Sequence, residues 1–272
     1  MDFAFIASLL ATGALAGLLA GLLGLGGGTL LVPALTFLLS WRGLEPSIVV
    51  HAAIATSMAY IVLSSVSSVI AHHEKGAVRW ELVAAFSPGI FIGALLASAG
   101  VFSSIKSGWL ALLFAGFVGI SGIQMLVGHK PTPSRTMPNQ IGTGAVGAGI
   151  GFMSGLVGIG GGIFSVPFMT WRNIPLRQAV GTSAALGFPV ALFNTLGYVW
   201  SGMQERQLPE HMLGFVYWPA LLALATFGIV LAPVGAKLAH RMPVKLLKRV
   251  FAYFLLGLAL YMVYKAYLAL SS

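Results

Sequence analysis

The sequence predicts an all-α fold, a polytopic membrane helix bundle of two inverted repeats. Each repeat has about five segments, one of them a glycine-broken short or re-entrant helix. Composition is the first observation: 58% of the 272 residues are hydrophobic and only 8% are charged, whereas a soluble domain carries about a quarter charged residues. The mean hydropathy is +0.93. No soluble core could bury this much apolar surface, so we expect the chain to lie in a lipid bilayer.

Apolar runs divide the chain into ten segments, most of them close to the roughly 20 residues that span a bilayer. The predicted segments are 3–23, 28–40, 48–72, 80–102 and 106–128, then 139–157, 162–171, 176–201, 212–239 and 244–269. The second segment of each half is too short to span comfortably. A polar, proline-rich stretch follows the fifth segment and predicts a linker. We therefore expect a first repeat over 1–128, a linker over 129–138 and a second repeat over 139–272.

A duplicated glycine motif is the second observation. "GLLGLGGGTLLVP" runs from Gly21 to Pro33, and "GLVGIGGGIFSVP" runs from Gly155 to Pro167. The longer windows 13–33 and 147–167 are identical at 11 of 21 positions. Further along, "ATS" at 55–57 matches "GTS" at 181–183. These matches indicate that one half arose from the other by duplication.

The distribution of Lys and Arg is the third observation, and it favours inversion of the second copy. With the N-terminus outside and an odd number of crossings per half, the fifteen basic residues divide 11 inside to 4 outside. The inside set is Lys75, Arg79, Lys130, Arg135, Arg172, Arg177, Lys237, Arg241, Lys245, Lys248 and Arg249; the outside set is Arg42, Lys106, Arg206 and Lys265. Parallel repeats would place only 9 of the basic residues inside and 6 outside. The positive-inside rule thus predicts a multi-pass protein of the cell (inner or plasma) membrane with its N-terminus outside.

This topology signal also accounts for the net charge of +9. In a soluble protein such a charge would suggest nucleic acid as a partner. The sequence contains no nucleic-acid-binding motif, so we expect none here, and the predicted partners are the lipid bilayer and a small anion. A homodimer is a further expectation, based on the many small-residue helix faces.

The glycine triplets predict helix breaks, because glycine accepts backbone angles that other residues avoid. A broken backbone inside a bilayer is tolerated only where protein buries it or water lines it. Paired breaks in an inverted repeat are typical of a substrate site near the bilayer midplane. The short helix after each break would begin near Gly28–Thr29 or Gly162–Ile163, with several unpaired N–H groups and a partial positive charge. Two such ends could hold a small anion.

Hydroxyl and amide side chains open the third segment of each half at matched positions. Thr56 and Ser57 match Thr182 and Ser183, and Ser68 aligns with Asn194. All could donate hydrogen bonds to an oxyanion. The alternative is that such side chains bond back to their own helix, as Ser and Thr often do in membranes, and we expect this of the serines 64, 65 and 67.

Other small and charged residues receive structural interpretations. The glycines spaced by four, Gly13, Gly17, Gly21, Gly147, Gly151 and Gly155, predict close helix packing. His51 and Arg177, which align with each other, are expected to anchor in the headgroup region. Every acid and histidine falls at a segment end or in a loop, so no proton relay, metal site or cofactor is predicted.

Two enzyme interpretations fail on context, and we predict that the protein is not an enzyme. The GLGGG run resembles a dinucleotide-binding loop, but no strand precedes it and no acidic residue follows about 20 positions on. "GISG" at 119–122 resembles an intramembrane serine protease motif, yet Ser121 has no histidine base within any predicted span.

The two glycine motifs, each followed by a helix opening on "TS", resemble the TauE/SafE family of sulfite exporters over essentially the whole chain. The resemblance implies a plasma-membrane permease for small sulfur-containing anions such as sulfite, thiosulfate or sulfoacetate. The implied site and the hydroxyl and amide groups beside it comprise Gly26, Gly27, Gly28, Thr29, Thr56, Ser57, Gly160, Gly161, Gly162, Ile163, Thr182, Ser183 and Asn194. Ile163 stands where the first half has Thr29, so an asymmetric site is expected.

Three functions remain open at this point. The first is a secondary transporter that exports the anion by alternating access, since an inside-negative potential drives anions outward by about 2.3 kcal/mol per charge per 100 mV. The second is a channel-like anion pore, or an uptake system, with the same site. The third is an assembly or sensor subunit that transports nothing.

Overall fold

The computed structural model describes residues 3–23, 27–127, 136–205, 208–239 and 244–271. Over these ranges the chain is almost entirely helical, and five long helices come from each half. The first five are α1 (Phe3–Leu23), α2 (Gly28–Trp41), α3 (Pro46–Glu74), α4 (Trp80–Leu96) and α5 (Ser107–Val127). The second five are α6 (Gln140–Val157), α7 (Gly162–Trp171), α8 (Leu176–Gly202), α9 (Trp218–Ala239) and α10 (Val244–Ser271). The predicted segments correspond to these helices one for one.

Both helix breaks lie at the glycine triplets. α1 ends at Leu23 and α2 begins at Gly28, while α6 ends at Val157 and α7 begins at Gly162. The residues just before the second helix of each half, Gly27 and Gly161, have φ angles of 69° and 76°. Side chains other than hydrogen rarely tolerate this left-handed conformation, which is why glycine stands at both positions. Gly26 and residues 129–135 of the expected linker lie outside the described residues.

Two segments depart in detail from the sequence prediction. The span expected over 80–102 leaves α-helical geometry after Leu96, passes through a π-helical turn at Ala97–Val101 and ends in one further turn at Phe102–Ser104. The span expected to begin at 212 begins six residues later, because a short antiparallel hairpin precedes α9. Its strands are β1 (Met212–Leu213) and β2 (Val216–Tyr217).

The hairpin is packed tightly on the end of α8. Gly214 turns the chain with a φ of 55°, and a Cβ atom there would lie 2.4 Å from the carbonyl oxygen of Val199. Hydropathy cannot distinguish these six residues from the apolar helix that follows them, which explains the early predicted start.

The helices pair across the two halves. The most extensive contacts are α1 with α9, α5 with α10, α4 with α6 and α3 with α8. If each helix is replaced by its counterpart in the other half, α1 by α6, α2 by α7 and so on, the same four pairs result. α5 and α10 run antiparallel, because Gly108 at the start of α5 packs on Leu270 and Gly122 near its end packs on Ala252 and Leu256.

The glycines spaced by four allow close helix contacts, as predicted. A Cβ atom on Gly13 would lie 2.4 Å from the Leu224 carbonyl oxygen, and one on Gly17 would lie 2.0 Å from that of Gly228. In the second half Gly147 and Gly151 pack equally closely on Phe86 and Ile90 of α4. Backbones can approach this closely only where a side chain is missing.

Five of the described helices are long and apolar enough to cross a membrane: α3, α5, α6, α8 and residues 252–271 of α10. Apolar helical stretches of 10–17 residues lie in α1, α2, α4 and α9. Large hydrophobic side chains cover the outside of the bundle; Phe3 is 87% exposed and Leu260 is 72% exposed. An apolar exterior of this kind fits lipid and not water.

Candidate functional site

The two helix breaks meet in the interior of the protein. A Cβ atom on Gly28, at the start of α2, would lie 2.9 Å from the carbonyl oxygen of Gly158 in the second break. Ile61 of α3 touches both breaks: its Cδ1 atom would lie 2.8 Å from a Cβ on Gly28, and its Cγ2 atom 3.3 Å from a Cβ on Gly160. The structure thus brings together two glycine motifs that are far apart in the sequence.

Backbone N–H groups at both helix starts lack partners among the described residues. In α7 the N–H groups of Phe164 and Ser165 donate to the Gly161 carbonyl, whereas those of Gly162 and Ile163 donate to no described group. The same holds in α2, where the N–H groups of Leu30 and Leu31 donate to the Gly27 carbonyl and those of Gly28 and Thr29 to no described group. Unpaired N–H groups at the positive end of a helix dipole attract anions.

The predicted site residues that the structure describes are buried, apart from half-buried Ile163. Thr29, Thr56, Ser57, Thr182 and Ser183 are all at most 3% exposed. The described residues of both breaks are therefore closed off from both surfaces in this conformation. Bulk water does not compete there for the unpaired N–H groups, and this strengthens their electrostatic effect.

Thr56 and Thr182 occupy equivalent positions and make equivalent contacts. The Thr182 hydroxyl oxygen accepts the N–H of Arg79, which precedes α4, at 3.0 Å. The Thr56 hydroxyl oxygen accepts the N–H of Tyr217, which precedes α9, also at 3.0 Å. Each threonine thus holds the connection that leads into the fourth helix of a half, and neither hydroxyl forms a hydrogen bond to the described residues of a helix break.

Ser57 and Ser183, although matched in sequence, have different surroundings. The Ser57 hydroxyl donates to the carbonyl oxygen of Gly158 at 3.4 Å and also lies 3.4 Å from a Cβ position on Gly28. Ser183 instead accepts a hydrogen bond from Ser165 of α7 at 2.8 Å. Ser57 therefore lies where the breaks meet, whereas Ser183 joins α7 to α8.

The side-chain atom of Asn194 that is left without a described partner is the acceptor Oδ1 and not the donor Nδ2. Its side-chain Nδ2 donates to the carbonyl oxygens of Val190 at 2.9 Å and Gly151 at 3.3 Å. These two carbonyls fix the orientation of the amide, because the reverse orientation would place three oxygens against one another. The Oδ1 atom is buried and has no hydrogen-bond partner among the described groups.

His51 is a polar group that the sequence interpretation misplaced. It was expected at the headgroups, but it is 4% exposed and its ring stacks on Phe215 with centroids 5.3 Å apart. Its Nε2 atom lies 3.0 Å from the Phe102 carbonyl oxygen and its Nδ1 atom 3.1 Å from the Ser107 hydroxyl. The aligned Arg177 is exposed and donates to the Lys75 carbonyl oxygen. No local pattern reveals the partners of His51, since they are some 50 to 160 residues away.

Other hydroxyls make the local contacts expected of them. Ser64, Ser65 and Ser67 all donate to carbonyls three residues earlier in α3. Ser121 of the GISG sequence likewise donates to the Phe117 carbonyl oxygen at 2.8 Å. The backbone-bonding interpretation of Ser64, Ser65 and Ser67 is confirmed.

Comparison with known proteins agrees with this architecture. A family model described as "Sulfite exporter TauE/SafE" matches residues 9–262. A Haemophilus influenzae protein named "Probable membrane transporter protein" is 35% identical over 268 residues, which cover 97% of this chain and 100% of that protein. "Probable membrane transporter protein MJ0441" of Methanocaldococcus jannaschii is 28% identical, with 88% of each chain covered.

A third relative extends the match to another group of bacteria. "Probable membrane transporter protein YdhB" of Bacillus subtilis is 29% identical, with 86% of this chain and 90% of that protein covered. No solved structure matches the chain. The family model covers nearly the whole chain, including both glycine breaks and the helices around them, and the chain belongs to the sulfite exporter TauE/SafE family of membrane transporters.

Proposed function

We propose that the protein is a secondary transporter that moves a small sulfur-containing anion, such as sulfite, thiosulfate or sulfoacetate, across the plasma membrane. The contact between Gly28 and the Gly158 carbonyl carries this proposal, because it places the start of α2 against the second helix break, four residues before α7 begins at Gly162. The anion binds to the N–H groups of Gly28, Thr29, Gly162 and Ile163, with the Ser57 hydroxyl beside them. Backbone donors hold an oxyanion without a fixed cation, so release is not opposed by a buried Arg or Lys.

The arrangement of helices supports two inverted repeats, residues 1–128 and 139–272. Antiparallel packing of the equivalent helices α5 and α10 is the arrangement expected if a pseudo-twofold axis runs across the bundle and not along it. The connection after α3 also meets the start of α8, since a Cβ on Gly181 would lie 2.6 Å from the Ala77 carbonyl oxygen. Rocking of such halves about a shared site gives alternating access.

Contacts of the basic residues support the proposed sidedness. Arg177 donates to the Lys75 carbonyl oxygen, so these two inside residues share one end of the bundle. Lys265 donates to Ser40, two residues before Arg42. Ser107, which follows Lys106, donates to the Ser47 carbonyl oxygen near the same connection. The described outside residues therefore gather at the start of α3 and the inside pair at its end, in agreement with the proposed division of the basic residues.

A carrier fits the closed geometry better than a channel. The helix breaks are buried on all sides, so an anion held there must wait for the halves to move. A channel needs a continuous path through the same region. Export is the proposed direction because the membrane potential drives an anion out of the cell without a coupling ion. Uptake through the same site is the alternative, and we propose a homodimer as the assembly.

A binding screen tests the proposed substrate class. Purified protein in detergent is heated with sulfite, thiosulfate, sulfoacetate or sulfate, each as the sodium salt at equal ionic strength. A ligand that binds only the folded state raises the unfolding temperature. We expect at least one of the three sulfur anions to stabilise the protein more than sulfate does. Equal effects of all four anions would contradict a specific site.

A further inference from the structure

Two buried side-chain oxygens without hydrogen-bond partners lie between α6 and α8, behind the second helix break. They are Asn194 Oδ1 and Ser154 Oγ, and both residues are 0% exposed. A buried polar atom that makes no hydrogen bond is destabilising, so such atoms are rare unless a ligand or water satisfies them. Both atoms act as ligands in proteins through their oxygen lone pairs.

Both oxygens lie against glycines of the second motif, and Gly155, which Asn194 Oδ1 approaches, directly follows Ser154 in α6. A Cβ on Gly161 would lie 3.3 Å from Val190 and 3.7 Å from Ser154 Oγ. One turn further along α8, a Cβ on Gly155 would lie only 2.2 Å from Asn194 Oδ1. Gly155 therefore provides the space that the amide oxygen occupies, and any side chain there would fill it.

The surroundings add negative partial charge to this position. α6 ends at Val157, and the C-terminal end of a helix dipole is negative. Near that end the carbonyl of Gly155 accepts the Tyr198 hydroxyl and that of Gly158 accepts Ser57. The carbonyls of Leu156 and Val157 accept no hydrogen bond from a described group. The π-helical turn also adjoins this position, with Ala97 Cβ 2.8 Å from a Cβ on Gly155. Turns of this kind are frequent at functional sites.

We infer that this cluster, with Asn194 Oδ1 and Ser154 Oγ as its side-chain ligands, binds a monovalent alkali cation of the size of Na⁺. Every available ligand is a neutral oxygen, which suits a hard cation of single charge. Divalent Ca²⁺ and Mg²⁺ recruit carboxylates, and none of the described His, Asp and Glu residues gather into a group that could hold a metal ion. Unwound carbonyls and half-helix ends are general ligands for coupling ions in transporters.

The site belongs to the second half alone. Asn194 aligns with Ser68, and Ser154 aligns with Ala20, so the first half has neither ligand. The role of the cation as a coupling ion rests on the proposed anion transport, whereas its binding does not. A cation bound next to the anion would attract it, so the two ions would cross the membrane together. Entry of the cation together with the anion would favour the uptake alternative.

Thermal unfolding of purified protein in detergent, without any sulfur anion, tests the cation site. Na⁺ is titrated as the chloride against choline chloride at constant ionic strength. We expect Na⁺ to raise the unfolding temperature of the wild type in a saturable manner. Ser154→Ala should weaken the apparent Na⁺ affinity about tenfold or more, and the removed hydroxyl makes no hydrogen bond that folding would miss. Asn194→Leu should abolish the Na⁺ effect.

Ser201→Ala is the matched control, because Ser201 is another buried serine of α8 whose hydroxyl has no partner among the described groups. It should keep the wild-type response. Absence of Na⁺ stabilisation in the wild type, or an unchanged Na⁺ affinity in Ser154→Ala, would overturn the site. The anion screen is repeated with choline salts in place of the sodium salts. Failure of anion binding in both screens contradicts the transport proposal and leaves the cation result intact.

Discussion

Gly28 and Gly158, one from each glycine motif, are in contact at the centre of the protein. Only 2.9 Å would separate a Cβ atom on Gly28 from the Gly158 carbonyl oxygen. The neighbour is backbone, which cannot swing away as the end of a long side chain can. Glycine at position 28 therefore permits the start of α2 to approach the second helix break, which leads into α7 and the other N–H groups proposed to bind the anion.

Thr182→Val should destabilise the protein, because it leaves the partly buried N–H of Arg79 without its acceptor. A lost partner of this kind costs about 1–3 kcal/mol. Thr182→Ser keeps the oxygen and should restore stability. Unfolding temperatures of the two variants in detergent check this expectation.

The same variants separate the structural role of Thr182 from substrate binding. If the hydroxyl serves only the connection into α4, the anion affinity of the folded Val variant stays near that of the wild type. A loss of anion affinity without a loss of stability would show direct binding by this threonine.

His51→Leu should also destabilise the protein, since it removes the ring nitrogens that face the Phe102 carbonyl and the Ser107 hydroxyl. Both partners are buried in a region where water cannot replace the ring. We expect a loss of about 1–3 kcal/mol, measured as a lower unfolding temperature. His72→Leu, at the far end of α3, serves as the control and should unfold close to the wild type. Equal stability of the two variants would mean that the buried contacts of His51 contribute nothing.

Gly17→Ala should separate α1 from α9. The added methyl group would lie 2.0 Å from the Gly228 carbonyl oxygen, and the helices must move apart to admit it. Overpacking typically costs about 1–3 kcal/mol. Gly116→Ala adds the same atom to α5, where no heavy atom lies within 4 Å, and should be neutral. Thermal unfolding of both variants measures the difference, and similar unfolding temperatures would argue against close α1–α9 packing.

The sequence predicted helix positions well because hydropathy and glycine act locally. The breaks after Leu23 and Val157 follow from the triplets themselves, and the packing role of Gly13 and Gly147 follows from their spacing. Partners in space were not predictable in this way. His51 meets Phe215, and Asn194 turns its N–H groups towards Gly151, through contacts that only the folded bundle creates.

Identical residues in the two halves also acquired different surroundings. Ser57 faces a carbonyl of the opposite half, whereas Ser183 meets Ser165, a serine with no counterpart in the first half because Leu31 stands there. Alignment of the halves therefore located equivalent positions without revealing what each side chain contacts.

Counterflow in liposomes tests the central claim most directly. Liposomes containing purified protein are loaded with unlabelled thiosulfate or sulfite, and uptake of the same labelled anion is followed with and without the internal pool. We expect saturable uptake that the internal anion accelerates, loss of this exchange in Gly28→Ala, and its retention in Gly116→Ala when both variants are folded. Full exchange in Gly28→Ala, or anion currents without acceleration by the internal anion, would contradict a carrier built on the two helix breaks.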